Sequence, residues 1–323
     1  MPDTPLLHPV DEHEQLHTPL RGRDFLSMRD LTTAEARELF DRALRMKANP
    51  LKFSTSLRGK TLAMIFEKPS LRTRVSFDVG MVQLGGHAID LSPEISLGKR
   101  ESMYDVAKNL ERMVQAIMIR TFEHENLVKV AEFAGIPVIN GLTDFSHPCQ
   151  GMADYLTMLE IKGRLDGLKV AYVGDSNNVT HSLLFGAAML GVELRVASPA
   201  GYQPSKAVMA WVGPEALRTG ARIEVTENPL EAVAGADVVY TDTWTSMGQE
   251  QEAELRRRVF QSYQVNTSLM ARAKDDAIFM HCLPAHRGEE VTNEVIDSPQ
   301  SVVYQQAENR LHIEKALLFA LLR

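Results

Sequence analysis

Short apolar bursts alternate with amphipathic stretches along most of the chain. Leu62 to Phe66 is a burst of this kind; a helical pattern runs from there through Leu84, His87 to Leu91 reads as a strand, and Ser102 to Met113 as a helix. The rhythm continues through Ala116 to Arg120, a helix near Leu127 to Ala134, Pro137 to Asn140, and a long helix from about Gln150 to Ile161. Short strands separated by helices predict a parallel, doubly wound sheet.

A polar, glycine-containing break from Lys162 to Gly167 interrupts this pattern, which restarts with Lys169 to Val173, a helix over His181 to Leu190, and Val192 to Ala197. Further strands are expected at Arg222 to Val225, Val238 to Thr241, Ile278 to His281 and Val302 to Tyr304, with a last helix over Leu311 to Leu322. The expected fold is therefore α/β, with two doubly wound parallel-sheet domains over residues 1–163 and 164–306, the C-terminal helix of about 307–323 returning to the first domain. At 323 residues the chain exceeds what one hydrophobic core usually serves, which agrees with two domains.

Ligands of open α/β sheets bind beyond the carboxyl ends of the strands, so the residues after each burst are the candidates for chemistry. After Phe66 comes Glu67-Lys68-Pro69-Ser70-Leu71-Arg72-Thr73-Arg74. Ser70 suits a helix N-cap, and free N–H groups beside hydroxyls and two guanidinium groups make an anion site suited to phosphate. A capped helix with solvated arginines is the plainer alternative, and no G-x-x-x-x-G-K-[ST] loop points to a nucleotide. Arg120 closes a strand, where a charge packs poorly but meets a ligand well. At the next helix start, the His147 imidazole can donate to a developing oxyanion and the Gln150 amide can accept from an NH2 group.

In the second half, Gly174-Asp175-Ser176-Asn177-Asn178 ends a strand and opens a helix, giving another helix-terminus site or an Asn-capped turn. The stretch from Asp242 to Gly248 offers the Asp242 carboxylate to an amino group, and the Ser246 hydroxyl and Met247 N–H to a carboxylate; it holds no Arg or Lys for a second carboxylate. His281-Cys282-Leu283-Pro284 leaves a nucleophilic thiol conceivable. Adjacent His and Cys on a strand point to opposite faces, which argues against both reaching one tetrahedral ion, and no metal site is expected. Arg310, near the start of the last helix, could be an ordinary ion pair.

Composition narrows the class. A formal net charge of -7 disfavours a nucleic-acid surface, and no stretch approaches the roughly 18 apolar residues of a membrane span. Met1 to His17 lacks the basic head and apolar run of a secretory signal, and two cysteines, Cys149 and Cys282, are too few for a disulfide framework. A cytoplasmic protein with small partners is expected. A nicotinamide dehydrogenase would share the strand pattern, but G-x-G-x-x-G is absent after Val173.

Together these stretches resemble the aspartate/ornithine carbamoyltransferase family. Ser70 to Arg74 is similar to its Ser-x-Arg-Thr-Arg signature, His147 to Gln150 to its His-Pro-x-Gln segment, and Gly174 to Asn178 to its Gly-Asp-x-Asn-Asn turn. Asp242 to Gly248 resembles the Asp-x-x-x-Ser-Met-Gly of the ornithine enzymes, and His281 to Pro284 their His-Cys-Leu-Pro. The resemblance spans Leu62 to Leu322 and implies a first domain that binds carbamoyl phosphate through Ser70, Leu71, Arg72, Thr73, Arg120, His147, Gln150 and Arg310. It implies a second domain that binds L-ornithine through Asn178, Asp242, Ser246, Met247, Cys282 and Leu283, with Arg72, Arg120, His147 and Cys282 as the catalytic groups.

The implied reaction moves the carbamoyl group onto the δ-amine, yielding L-citrulline and phosphate in arginine metabolism, without a cofactor. The implied partners are the two small substrates and further copies of the chain, as a homotrimer or a multiple of it, with no nucleic acid and no membrane. Another amine, such as putrescine or acetylornithine, is the nearest alternative acceptor. Two positions depart from the family's pattern. Pro93 stands where several ornithine enzymes carry a Gln that reaches a neighbouring chain's site, and Leu71 replaces the commoner Thr, leaving only its backbone N–H to bind.

Overall fold

A computed structural model describes residues 20–91, 97–98 and 100–323. Pro93 lies outside the described residues. Helix α1 (Thr33–Ala48) precedes a first sheet built from β1 (Thr61–Phe66), β2 (His87–Leu91), β3 (Ala116–Arg120) and β4 (Val138–Leu142), connected by α2 (Leu71–Gln83), α3 (Met103–Leu110) and α4 (His124–Phe133). All pairings are parallel and the strand order is β2-β1-β3-β4. Helix α5 (Pro148–Lys162) leads into the second sheet.

That sheet holds β5 (Lys169–Val173), β6 (Glu193–Ala197), β7 (Arg222–Thr226), β8 (Val238–Tyr240) and β9 (Ile278–Met280), parallel in the order β7-β6-β5-β8-β9. Its helices are α6 (Asn178–Leu190), α7 (Lys206–Thr219), α8 (Pro229–Val233), α9 (Ala253–Phe260), α10 (Thr267–Met270) and α11 (Asn293–Ile296). The last helix, α12 (Val303–Leu322), packs on α5, α1 and α2 and so returns to the first sheet. Among the described residues no helix is long and apolar enough to cross a membrane.

The alternation of side chains along each strand explains the continuous apolar runs. Leu62, Met64 and Phe66 of β1 enter one core cluster, while Ala63 and Ile65 enter another with Ile117, Ile119 and Leu127. On β5, Val170 and Tyr172 point to the first cluster and Ala171 and Val173 to a third, with Val239 and Phe279. Both faces are covered past the first residue of each of these strands, so the positions there are apolar. The first cluster passes from β1 through α5 and α12 to β5 and β8, and joins the two sheets.

The strand expected at Val302 to Tyr304 does not form. Only one bridge, Phe279 with Ser301, extends β9's far edge, and the chain turns helical at Val303. Starting α12 a full turn or more before Leu311 lets Gln306 and Asn309 enter the interior, where both are hydrogen-bonded. Arg310 consequently lies in the third turn of α12 rather than at its start. Helix α1, missed by the burst pattern, is fixed by Thr32, whose hydroxyl accepts from the Glu35 N–H while Glu35 accepts from the Thr32 N–H.

In both sheets the strand order reverses beside one strand: after β1 the chain goes first to β2 and later to β3, and after β5 first to β6 and later to β8. Each reversal opens a crevice at the carboxyl ends of the strands.

Candidate active site

The two crevices meet in one cleft of about 750 Å³. Ser70, Leu71, Arg72, Thr73, Arg120, His147, Gln150 and Arg310 line it from the first sheet's side, with α12 supplying the last. Asn178, Asp242, Ser246, Met247, Cys282 and Leu283 line it from the second. The structure thus brings together every residue that the family resemblance implied for the two substrates.

On the first side, the Ser70 hydroxyl accepts from the Thr73 N–H at 3.3 Å and caps α2, whose free N-terminal amides face the cleft. The Arg72 guanidinium reaches across to the Leu283 carbonyl. Arg74 does not join it: the side chain pairs with Asp90 and lies 4.2 Å from the Phe66 ring centroid, so only one of the two guanidinium groups read from this loop enters the cleft.

Arg310 is 2% exposed and donates to Glu314 at 2.6 Å, to the Gln150 carbonyl oxygen at 2.8 Å and to Thr73 Oγ1 at 3.1 Å. Gln150 cannot flip freely, because its NH2 donates to Asp154 at 2.8 Å. Its oxygen therefore faces Arg310 with a lone pair to spare. Arg120, also buried, keeps its Nε without a hydrogen-bond partner among the described residues; burial, then Arg310 and Arg72, push it down to about 9, which leaves it cationic at pH 7. His147 Nδ1 is buried and has no hydrogen-bond partner among them either, and burial followed by the three neighbouring guanidinium groups holds the ring well below the usual imidazole range. A neutral imidazole among three cations, with Glu314 as the carboxylate bound to one of them, is an electrostatic arrangement short of negative charge. A dianion would complete it.

On the second side, Asn177 caps α6, accepting from the Val179 and Thr180 N–H groups at 2.9 and 3.2 Å, and donates to Asp242 at 2.7 Å. Asn178 donates across the cleft floor to the Thr143 carbonyl at 2.5 Å. The Cys282 thiol donates to Asp242 at 3.1 Å. Burial and the Asp242 carboxylate push that thiol up, well above its ordinary value, outweighing Arg72. The nucleophilic reading of Cys282 loses its thiolate.

The strand argument against a shared metal at His281 and Cys282 needs correction. Strand β9 ends at Met280, and donor atoms of Asp242, His281 and Cys282 lie within 4.8 Å of one another. Hydrogen bonding occupies the histidine instead: Nδ1 accepts from the Leu283 N–H at 2.8 Å, and Nε2 faces Glu290 at 3.2 Å.

Sequence reasoning passed over Lys68, a buried ammonium that lines the cleft 4.3 Å from the Phe122 ring centroid. Burial and Arg120 pull it down. Its signal was the one used for Arg120, a charge just past a buried strand.

Two family models match the chain. The carbamoyl-P binding domain of aspartate/ornithine carbamoyltransferases covers residues 23–160 and their Asp/Orn binding domain covers 166–321. The chain belongs to the aspartate/ornithine carbamoyltransferase family. It is 55% identical over 306 residues to an ornithine carbamoyltransferase of Anoxybacillus flavithermus, covering 94% of this chain and 98% of that one. An anabolic ornithine carbamoyltransferase of Pyrococcus furiosus is 52% identical over 305 residues, covering 93% of this chain and 96% of that one. The solved structure of the ornithine carbamoyltransferase from that organism superposes with a TM-score of 0.91 at 51% identity, over 94% of this chain and 98% of that chain.

Proposed function

We infer that this carbamoyltransferase moves the carbamoyl group of carbamoyl phosphate onto the δ-amine of L-ornithine, giving L-citrulline and phosphate. The observation that carries the reading is the convergence of Arg72, Arg120 and Arg310 on one wall of the cleft that Asp242, Cys282 and Leu283 close from the other. We assign carbamoyl phosphate to the domain of residues 1–163 with the returning helix, and ornithine to residues 164–306.

In this reading the α2 amides of Leu71 and Arg72, left free by the cap, hold the phosphate together with the Arg72 guanidinium. Arg120, Arg310 and Thr73 surround the carbamoyl oxygen, His147 donates one N–H to it, and Gln150 accepts from the carbamoyl NH2. As the amine attacks, charge grows on that oxygen, and each fixed donor is worth about 3 kcal/mol. The ornithine α-amino group faces Asp242, with Asn178, the Ser246 hydroxyl and the Met247 N–H at its carboxylate. Cys282 and the Leu283 carbonyl hold the δ-amine. A neutral thiol favours direct attack over an acyl-enzyme. An alkylamine of pKa near 10.4 must lose its proton first, which costs roughly 4 to 5 kcal/mol at pH 7, and the Arg72 guanidinium on the Leu283 carbonyl disfavours a second cation there.

Purified protein assayed for ureido product with ornithine, putrescine, N-acetylornithine and aspartate tests the assignment; product with ornithine alone supports it, and product with another acceptor but not ornithine refutes it. Arg or Lys for a second acceptor carboxylate is absent from Asp242 to Gly248, which disfavours aspartate. We also propose a cytoplasmic homotrimer that serves arginine biosynthesis. Leu71, Val75 and Val82 of α2 and Ile89 of the edge strand β2 are exposed, an apolar face suited to contact between copies. Light scattering must then give three chain masses or a multiple.

A further inference from the structure

We propose that His281 and Glu290 are positioning residues that fix the Leu283 carbonyl and the Cys282 thiol at the amine end of the cleft. This rests on the ornithine reading above and extends it to two residues outside the cleft. Leu283 stands in the left-handed region at φ 58, the one non-glycine residue there among those described. A branched side chain in that conformation costs about 1 to 2 kcal/mol, so surrounding contacts must hold it.

Two contacts do so. The Leu283 N–H donates to His281 Nδ1 at 2.8 Å, and the Leu283 carbonyl accepts from the Arg72 guanidinium. An Nδ1 that accepts carries no proton, so His281 is the tautomer with its hydrogen on Nε2. That hydrogen meets Glu290 Oε1 at 3.2 Å. The same oxygen accepts the His286 N–H at 2.6 Å, which pins the far end of the loop that begins at His281. His281 and Glu290 are both 0% exposed, and Glu290 Oε2, 3.7 Å from His286 Nδ1, has no hydrogen-bond partner among the described residues. A buried carboxylate kept with one oxygen outside any hydrogen bond is costly for stability alone, yet it sets the tautomer and both ends of the loop that presents the Leu283 carbonyl and the Cys282 thiol to the cleft.

The experiment compares His281→Leu with His281→Asn, whose amide oxygen replaces Nδ1 as acceptor, and Glu290→Ala with Glu290→Gln, which keeps an acceptor for Nε2–H. Each is assayed for kcat/KM with ornithine and for binding of 2-aminopentanoic acid, which has the α-groups of ornithine and lacks its δ-amine. His281→Leu and Glu290→Ala should lose about a hundredfold in kcat/KM, the order expected of a misplacement near 1 Å, with 2-aminopentanoic acid affinity within about twofold. His281→Asn and Glu290→Gln should recover at least about tenfold of that loss. A parallel fall in affinity for 2-aminopentanoic acid, or no recovery in the conservative pair, overturns the proposal. In wild-type protein with nitrogen-labelled histidine, the His281 ring must show an unprotonated Nδ1; a protonated one overturns the proposal even if no variant folds. If wild-type protein makes no ureido product from ornithine, it is the ornithine reading that fails, while the tautomer result still stands or falls alone.

Discussion

Arg310 pairs with Glu314 and lines the cleft, so its part in stability can be separated from its proposed part in binding carbamoyl phosphate. Replacing it by Met removes the donors to Thr73, Gln150 and Glu314 and leaves Glu314, 0% exposed, without its cation. Losing one partner of a buried pair costs about 3 to 5 kcal/mol. Burial already raises the Glu314 carboxyl above its ordinary value, and without Arg310 it rises further. A group raised in the folded state contributes stability at low pH that is lost as pH climbs through its folded value, so the Arg310→Met penalty should be larger at pH 8 than at pH 6. Adding Glu314→Met removes the orphaned charge and should restore about 1 to 4 kcal/mol. Carbamoyl phosphate binding should not return, because a charge-assisted bond of about 1.5 to 3 kcal/mol to the ligand is gone, which is about 10- to 150-fold in affinity. Denaturant melts at both pH values and calorimetric titration with carbamoyl phosphate read the two effects. A double variant no more stable than Arg310→Met, or one that binds like wild type, refutes the reasoning.

Three further outcomes are expected. Ser70→Ala removes the α2 cap and should lower stability by about 1 kcal/mol in a denaturant melt while weakening inorganic phosphate binding; a change in neither contradicts the cap. His147 is held neutral in the fold, so only the unfolded chain takes up its proton below about pH 6.5, and stability falls with pH there by up to about 1.4 kcal/mol per unit. His147→Gln should reduce that slope by up to about one proton, and an unchanged slope between pH 5 and 6.5 counts against a neutral His147. If the δ-amine must be neutral to attack, kcat/KM for ornithine should rise with pH between 6 and 9; a flat profile with chemistry shown to be rate-limiting contradicts it.

The central strands were legible because both of their faces are covered. Past Thr61 of β1 and Lys169 of β5, alternate residues go to different clusters, yet all are buried, and the result in sequence is an unbroken apolar run. The same signature misled at Val302 to Tyr304, where an apolar triplet opens a helix. What decides that segment is Gln306, which donates to Asp154 at 2.7 Å and accepts from the His281 N–H at 3.0 Å, contacts made with residues 152 and 25 positions away. Most residues that touch the cleft were legible for a local reason too: they stand in the turns that follow a strand or at a helix start, where a polar group has no packing role, while Arg310, in the third turn of α12, has no such mark.

Their supports carry no such mark. Asp154 orients Gln150 from inside α5, accepting also from Gln306 and, at 3.2 Å, from the Tyr240 hydroxyl. Burial pushes it up to about 7, but nothing near it in sequence says that it is buried. Glu289 and Glu290 make the point most sharply, being adjacent and identical in composition. Glu289 pairs with Arg257 near the surface at 2.9 Å, while Glu290 is sealed against His281. The difference arises because the Glu290 carbonyl accepts from the Val265 N–H and Val291 bridges to Val265, which turns one of two neighbouring side chains inward. A backbone pairing 25 residues away in the chain therefore decides which glutamate supports the cleft, and no pattern confined to the loop could have chosen between them.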